Sequence, residues 1–574
     1  MGFLQPNLPQ VDVAEWRRGT RNERMRPMVR HLLEVGFGTP DVVYVLYLVK
    51  IALYVLGAML FALSTPGIDG FTSIGDWWAE PIVFQKLVFW TVLFEVLGLG
   101  CGFGPLNLRF LPPLGSFLYW LRPGTIRLPP WPARVPLTRG DRRTVADALL
   151  YAALLATLVI ALLSASDPGS STSALPVWKV LLFLGVLAVI SLRDRTIFLA
   201  ARSEVYAAIA LTFLFSAPDA IVGAKLVMLV IWWGAALSKI NGHFPFVVQA
   251  METNSPIWRS KKIKHLFSRS FPDDLRPSRL SAALAHGGTI VEFGVPLVLI
   301  CSGGGTLTTV AAIVMIAFHL HIIATIPMGV PLEWNVFMIF AILILFVDKA
   351  SIGLGDLERP WVLLVPLLSA SFVVLGSLFP EKISFLVGMR YYAGNWDTSV
   401  WCFTQAGLAK FDSGTTKATM LPHQQLEKIY GPEEAEVPLF TGYAFRSIHT
   451  HGRAHFALIP RLCGEDHENY LVMDGELIAG VVLGWNFGDG HLHREQLIAA
   501  LQERCAFEPG EVRILTLDAQ PIHKPTQAYR LIDAATGEFE RGTVLVADMV
   551  VRQPWDTDLP ITMTSTPGGE LRSS

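Results

Sequence analysis

The chain has 574 residues, of which 52% are apolar and only 16% charged, where soluble globular domains carry about 25% charged residues. With 46 Lys and Arg against 48 Asp and Glu, neither a basic nucleic-acid binder nor a disordered chain fits. Five cysteines without a CxxC pair exclude a disulfide scaffold and a zinc ribbon, and the length admits two or three domains.

Residues 1–41 form a basic segment with Arg17, Arg18, Arg21, Arg24, Arg26 and Arg30, and lack the apolar run of a signal peptide. About 20 apolar residues cross a hydrocarbon core. Ten stretches approach that length, at 42–64, 81–103, 146–166, 176–192, 196–216, 219–238, 282–301, 307–326, 333–347 and 361–379. The ninth is short enough to be a half-helix. Leu111–Leu121, between prolines, is too short to cross and is expected at the membrane interface. Basic residues mark cytoplasmic loops. They gather in the N-terminal segment, in 104–145 (Arg109, Arg122, Arg127, Arg134, Arg139, Arg142, Arg143) and in 239–281 (Arg259, Lys261, Lys262, Lys264, Arg269, Arg276, Arg279), whereas 65–80 has three acids and no Lys or Arg. Ten crossings put these segments and the C-terminus on one side, the cytoplasmic face of a bacterial plasma membrane. The same residues suit anionic lipid headgroups.

After Pro380 the apolar character collapses. Short β-like runs follow at His455–Ile459, Val512–Leu517 and Thr543–Val551, and Tyr470–Met473 with Glu476–Leu483 around Asp474-Gly475 reads as a hairpin. Arg494–Arg504 has helical spacing. The expected fold is a polytopic all-α membrane domain of about nine to ten transmembrane helices over 42–380, then a small α+β soluble domain over 381–562 and a flexible tail over 563–574.

Ionisable residues inside spans are costly and mark candidate sites. They are Arg202 and Glu204 in the fifth stretch, Lys239 at the end of the sixth, His286 and Glu292 in the seventh, and His319 and His321 in the eighth. Each also fits a buried ion pair or hydrogen bond between helices. Arg202 and Glu204, two apart, do not share a helix face and are expected to pair with other helices. Lys239 follows Trp232-Trp233-Gly234-Ala235-Ala236-Leu237-Ser238; desolvation there favours the neutral amine and a general-base role, against a snorkelling lysine. His449-x-His451 and His491-x-His493, with Glu495, suit a metal if they lie on strands.

Several short motifs recur in a familiar order. They are Arg202-Ser-Glu-Val-Tyr206 with Pro218-Asp219-Ala220, Ala236-Leu-Ser-Lys239-Ile-Asn-Gly before Phe244, His286-Gly-Gly before Glu292, and Phe318-His319 ahead of Gly329. This order resembles the membrane domain of vitamin K-dependent γ-carboxylase and its bacterial relatives, the horizontally transferred transmembrane (HTTM) domains, over about 146–347. The resemblance implies an enzyme whose lysine deprotonates a quinol. Lys239 falls on that base, His319 on a family histidine, and Arg202 where the carboxylase has a catalytic histidine. A guanidinium binds anions but does not shuttle protons. Glu204, Trp232, Trp233, His286, Glu292 and His321 are the expected substrate-binding residues. In the carboxylase the site faces the lumen, whereas here the charge pattern puts the end of the sixth stretch in the cytoplasm. The whole chain also resembles an uncharacterised actinobacterial transmembrane family with a soluble C-terminal extension.

Three functions follow. The first is a membrane enzyme acting on a quinone or lipid-like substrate, with a cavity lined by Arg202, Lys239, His286, Glu292 and His319. The second is a non-catalytic lipid-handling or transport protein. The third is a scaffold of a cell-envelope machine that docks a protein partner through the C-terminal domain. Membrane lipids are expected contacts in all three, nucleic acid in none.

Overall fold

The computed structural model describes residues 3–101, 115–167, 174–325 and 331–565. An amphipathic helix α1 (Arg21–Glu34), closed by a capping box between Thr20 and Glu23, precedes the membrane domain. Six helices are long and apolar enough to cross a membrane. They are α2 (Asp41–Leu63), α5 (Val145–Leu162), α9 (Ala217–Ser238), α11 (Arg279–Cys301), α12 (Gly305–Thr325) and the segment Pro360–Leu378, which contains α14 (Leu364–Leu378).

Shorter passes complete the bundle among the described residues. α3 (Pro81–Val96) is buried from Ile82 to its end, and α6 (Val177–Arg193) packs on α5. α13 (Leu332–Ala341) continues as a π-helical stretch, Ile342–Asp348. The stretch expected at 196–216 is broken into α7 (Arg195–Ala200) and α8 (Tyr206–Thr212), because Arg202 takes the left-handed conformation at φ +49°. The passes alternate between two ends. At one end Lys225 donates to the carbonyls of Lys349 and Ile352, 2.8 and 2.6 Å away, and Gln85 accepts from the Leu175 N–H at 2.7 Å.

The opposite end carries the C-terminal domain. α10 (Phe244–Asn254) and an antiparallel ribbon of β1 (Ser268–Ser270) and β2 (Asp274–Pro277) lie against it. A helix α4 (Gly115–Trp120), within the stretch Leu111–Leu121 expected at the interface, donates from Ser116, Tyr119 and Trp120 to the carbonyls of Gly484, Val482 and Leu483. Residues 111–114, like Gly329, lie outside the described residues. All three basic segments touch this domain. Arg17 pairs with Glu436 at 2.7 Å, Asp141 with Arg504 at 2.6 Å, and Arg276 donates to the Val551 carbonyl at 2.8 Å.

The domain is built on a six-stranded antiparallel sheet in the order β4-β3-β5-β6-β7-β8. The strands are β3 (Thr398–Phe403), β4 (Leu471–Asp474), β5 (Val512–Leu517), β6 (Thr526–Asp533), β7 (Gly537–Leu545) and β8 (Ile561–Ser565). β8 takes the first three residues of the expected tail; 566–574 lie outside the described residues. β3 is buried on both faces, as the period-2 alternation of a central strand allows. Val400 and Cys402 face α16 (Thr450–Cys463), which follows α15 (Glu436–Ile448); Trp401 and Phe403 belong to an apolar cluster continuous with the membrane helices.

Two expected strands are helices. His455–Ile459 lies within α16, and the expected hairpin at 470–483 is β4 followed by α17 (Gly475–Leu483). Asp474 accepts from the Glu476 N–H as the helix N-cap rather than opening a turn. The helix expected near 494–504 is α18 (Glu495–Cys505). Thr543–Val551 divides between β7 and the short helix Val546–Val550.

Candidate functional site

Lys239 ends α9, and its ammonium reaches Glu292 in the middle of α11, 2.6 and 2.5 Å from the two carboxylate oxygens. Both side chains are at least nine-tenths buried. The rings of Phe244 and Phe318 lie 5.2 and 6.0 Å from Nζ, within cation–π range. The pair forms one wall of a cavity of about 320 Å³ between α9, α10, α11, α12 and α13. The remaining lining is mainly apolar and aromatic, including Trp232, Val248, Val291, Trp334 and Met338. Leu284, 45% exposed, and the half-exposed His321 stand at its rim.

His319 faces this cavity with both ring nitrogens engaged. Trp232 donates to Nε2 at 3.1 Å, and Nδ1 lies 2.8 Å from Asn335 Oδ1, whose amide nitrogen donates to Pro331 O. Since indole N–H is only a donor, the ring is the neutral tautomer with its proton on Nδ1. His321 meets Glu252 at 2.9 Å, and Trp258 donates to the other oxygen of that carboxylate at 2.6 Å.

The cavity gathers Lys239, Glu292, His319, His321 and Trp232, but not every expected residue. His286 is exposed on the outer side of α11. Trp233 points outward and donates to Phe293 O at 3.0 Å. Arg202 and Glu204 pair with each other, Nε to Oε1 at 2.9 Å, contrary to the expectation of separate partners. The break between α7 and α8 removes the helical geometry that would have held them apart. Their pair stands behind the cavity wall: the Arg202 guanidinium lies 4.3 Å from the Trp334 ring, and Tyr391 donates to Glu204 at 3.3 Å.

Sequence reasoning missed Glu252, Asn335, Tyr391 and Tyr392, which also line the cavity. Asn335 was detectable as an amide inside an apolar run; the others come from segments outside the spans. Reasoning from intramembrane charge also passed over Lys50, Glu95 and Glu333, although the same rule applies to them. Among the described residues, Glu95, Cys101 and Glu333 are the side chains of metal-ligating type that converge, all buried.

The histidine pairs of the C-terminal domain are not on strands. His449 precedes the first residue of α16 and stacks on His451, with ring centroids 5.3 Å apart. His455 bonds Thr398 at 2.9 Å. His491 and His493 lie in a single 3-10 turn; His491 bonds the Pro380 carbonyl and His493 Ser399 Oγ, while Glu495 pairs with Arg530. Burial holds His449, His455 and His493 down at about 3. At the domain junction, burial lowers His243 to about 4; it bonds Thr450 and Gln520.

The fold and this cavity define a polytopic membrane protein with a buried ion pair facing an apolar chamber and a sheet-containing domain at one end. The chain belongs to the DUF3556 family, described as transmembrane protein of unknown function, whose model matches residues 1–564. No curated protein and no solved structure matches it.

Proposed function

We propose that the protein binds a quinone or lipid-like amphiphile in the Lys239 cavity and exchanges a proton with its polar head through Lys239. The observation that carries this reading is a buried ammonium–carboxylate pair on the wall of an otherwise apolar chamber, the arrangement that orients an amphiphile. Transfer of a proton from Nζ to Glu292 leaves a neutral amine that can take the proton of a quinol or acidic headgroup. Glu292 is thus the partner a general base needs before it can act. His319, fixed by Trp232 and Asn335, shapes the wall, and Arg202 with Glu204 supports it from behind. The motif order, which resembles that of the γ-carboxylase membrane domain, suggests the same reading.

A second reading, binding without chemistry, is favoured by one feature: both charges of the pair already satisfy each other. Mass spectrometry of the full chain in native-like lipid, beside Lys239→Ala, tests the site. The parent is expected to retain a quinone or lipid that the variant loses. Identical spectra with nothing bound, at equal thermal stability, would overturn the site and leave the C-terminal domain as a docking surface for an envelope partner. Lys239→Arg separates the two readings, because arginine does not give up its proton. A carrier tolerates that change and an enzyme loses turnover.

The basic segments gathered on the C-terminal domain support placing that end in the cytoplasm. Cys301, exposed at the opposite end of α11, is then expected to react with a membrane-impermeant maleimide on intact cells. Labelling only after the cells are opened would reverse the orientation.

A further inference from the structure

We propose that Glu95, Cys101 and Glu333 form a site for a divalent cation of the zinc class, separate from the Lys239 cavity. One ligand atom from each lies within 4.8 Å of the other two. Zinc binds sulfur at about 2.3 Å and carboxylate oxygen at about 2.0–2.2 Å, so shifts of about an ångström close the three on one ion. Glu95 lies in the last turn of α3, Cys101 follows the turn after it, and Glu333 stands in the first turn of α13. All three side chains are fully buried.

The carboxylate of Glu95 carries the second, independent sign. One oxygen accepts the Cys101 N–H at 2.9 Å, while the other is buried with no hydrogen-bond partner. A buried carboxylate oxygen left unmatched is costly unless a ligand meets it. Gly100 makes the approach possible: a Cβ there would stand 2.0 Å from Glu95 Oε2. The thiol of Cys101 donates to Glu333 at 3.2 Å and accepts from Arg202 Nη1 at 3.3 Å.

Charge balance points the same way. Three buried carboxylates, Glu95, Glu204 and Glu333, meet two cations. Arg202 pairs with Glu204, and Lys50 lies 2.9 Å from Glu333 Oε2. With all three carboxylates ionised, one negative charge has no cation beside it. Binding a divalent ion while the Cys101 proton leaves to solvent adds one net positive charge and closes the count. A mixed thiolate and carboxylate set suits zinc rather than magnesium or calcium. Three protein ligands leave a fourth position for water.

The test uses the full chain in lipid nanodiscs, stripped with chelator and reloaded with zinc or cobalt. The folded parent is expected to retain one metal per chain, and the cobalt form to show a thiolate-to-cobalt charge-transfer band. Cys101→Ser should lose the band while Cys301→Ser keeps it, and Glu333→Gln should weaken zinc binding by roughly tenfold or more. X-ray absorption on the zinc-loaded parent needs no variant and should show one sulfur in the shell. A parent that retains no metal, a shell without sulfur, or a band that survives Cys101→Ser overturns the site, and the leftover charge is then met by a proton on Glu95.

Discussion

Arg202 is a residue whose backbone and side chain serve the same end. Its positive φ breaks the pass between α7 and α8 and delivers the guanidinium to Glu204 and to the face of Trp334. Removing one member of a buried ion pair strands the other charge, at a cost of about 3–5 kcal/mol. Arg202→Met is therefore expected to lower the thermal midpoint far more than the double variant Arg202→Met with Glu204→Gln; equal losses would deny the pair its role. A second prediction concerns the histidines. His449, His455 and His493 are held by burial at about 3, against an ordinary 6.5. Between those values the unfolded chain binds protons that the folded one refuses, so stability is complete above about pH 6.5 and falls as the pH drops towards 3. Thermal unfolding followed over that range should show the loss, and His455→Gln, which keeps a hydrogen bond to Thr398 within reach, should make it shallower. An unchanged slope in the variant would remove His455 from the account.

At the scale of elements, α17 shows what a single cap decides. Asp474 accepts the Glu476 N–H at 2.8 Å and also pairs with Arg446 at 2.5 Å. Asp474→Asn keeps the cap and loses the ion pair; Asp474→Ala loses both. The difference is expected at about 1 kcal/mol in denaturant titrations, and no difference would mean the cap is idle. Gly475 is more constrained, since a Cβ would meet Ser399 Oγ at 1.9 Å. The same segment marks the limit of what could be read from residues alone. Short apolar runs such as Ile478–Leu483 and His455–Ile459 fit a buried helix and a strand equally well, and only their tertiary neighbours decide. The long spans were legible because about twenty apolar residues leave few alternatives. Lys239, Glu292 and His319 stood out because a charge or imidazole in such a run is a local signal. The Lys239–Glu292 pairing and the arrival of Glu252 and Tyr391 at the cavity depend on contacts distant in sequence, which no local pattern carries.

The whole molecule has one apolar cluster running from the membrane helices into the C-terminal sheet through Trp120, Trp485 and Trp401. The C-terminal domain is thus completed by the membrane domain, and cutting the chain near residue 380 exposes tryptophans on both fragments. Residues 381–562 produced alone are expected to bind a hydrophobic dye and aggregate, and to be recovered when 1–380 is co-produced. A soluble, cooperatively unfolding fragment would show that the shared cluster is dispensable. The N-terminal helix extends this dependence into time. Met25, Met28, Val29, Leu32 and Leu33 of α1 are fully buried, in a cluster with Val437, Phe445 and Ile448 of α15, and Arg17 meets Glu436 across 419 residues of chain. At 5–20 residues per second, about 20–80 s of synthesis separate the two halves of that contact. The N-terminal helix α1 therefore waits for α15, made after the last membrane pass, with its apolar stripe resting meanwhile on a chaperone or on the bilayer surface. The stripe is covered only when the ribosome delivers α15, so codons that slow translation after the last membrane pass prolong the vulnerable interval directly.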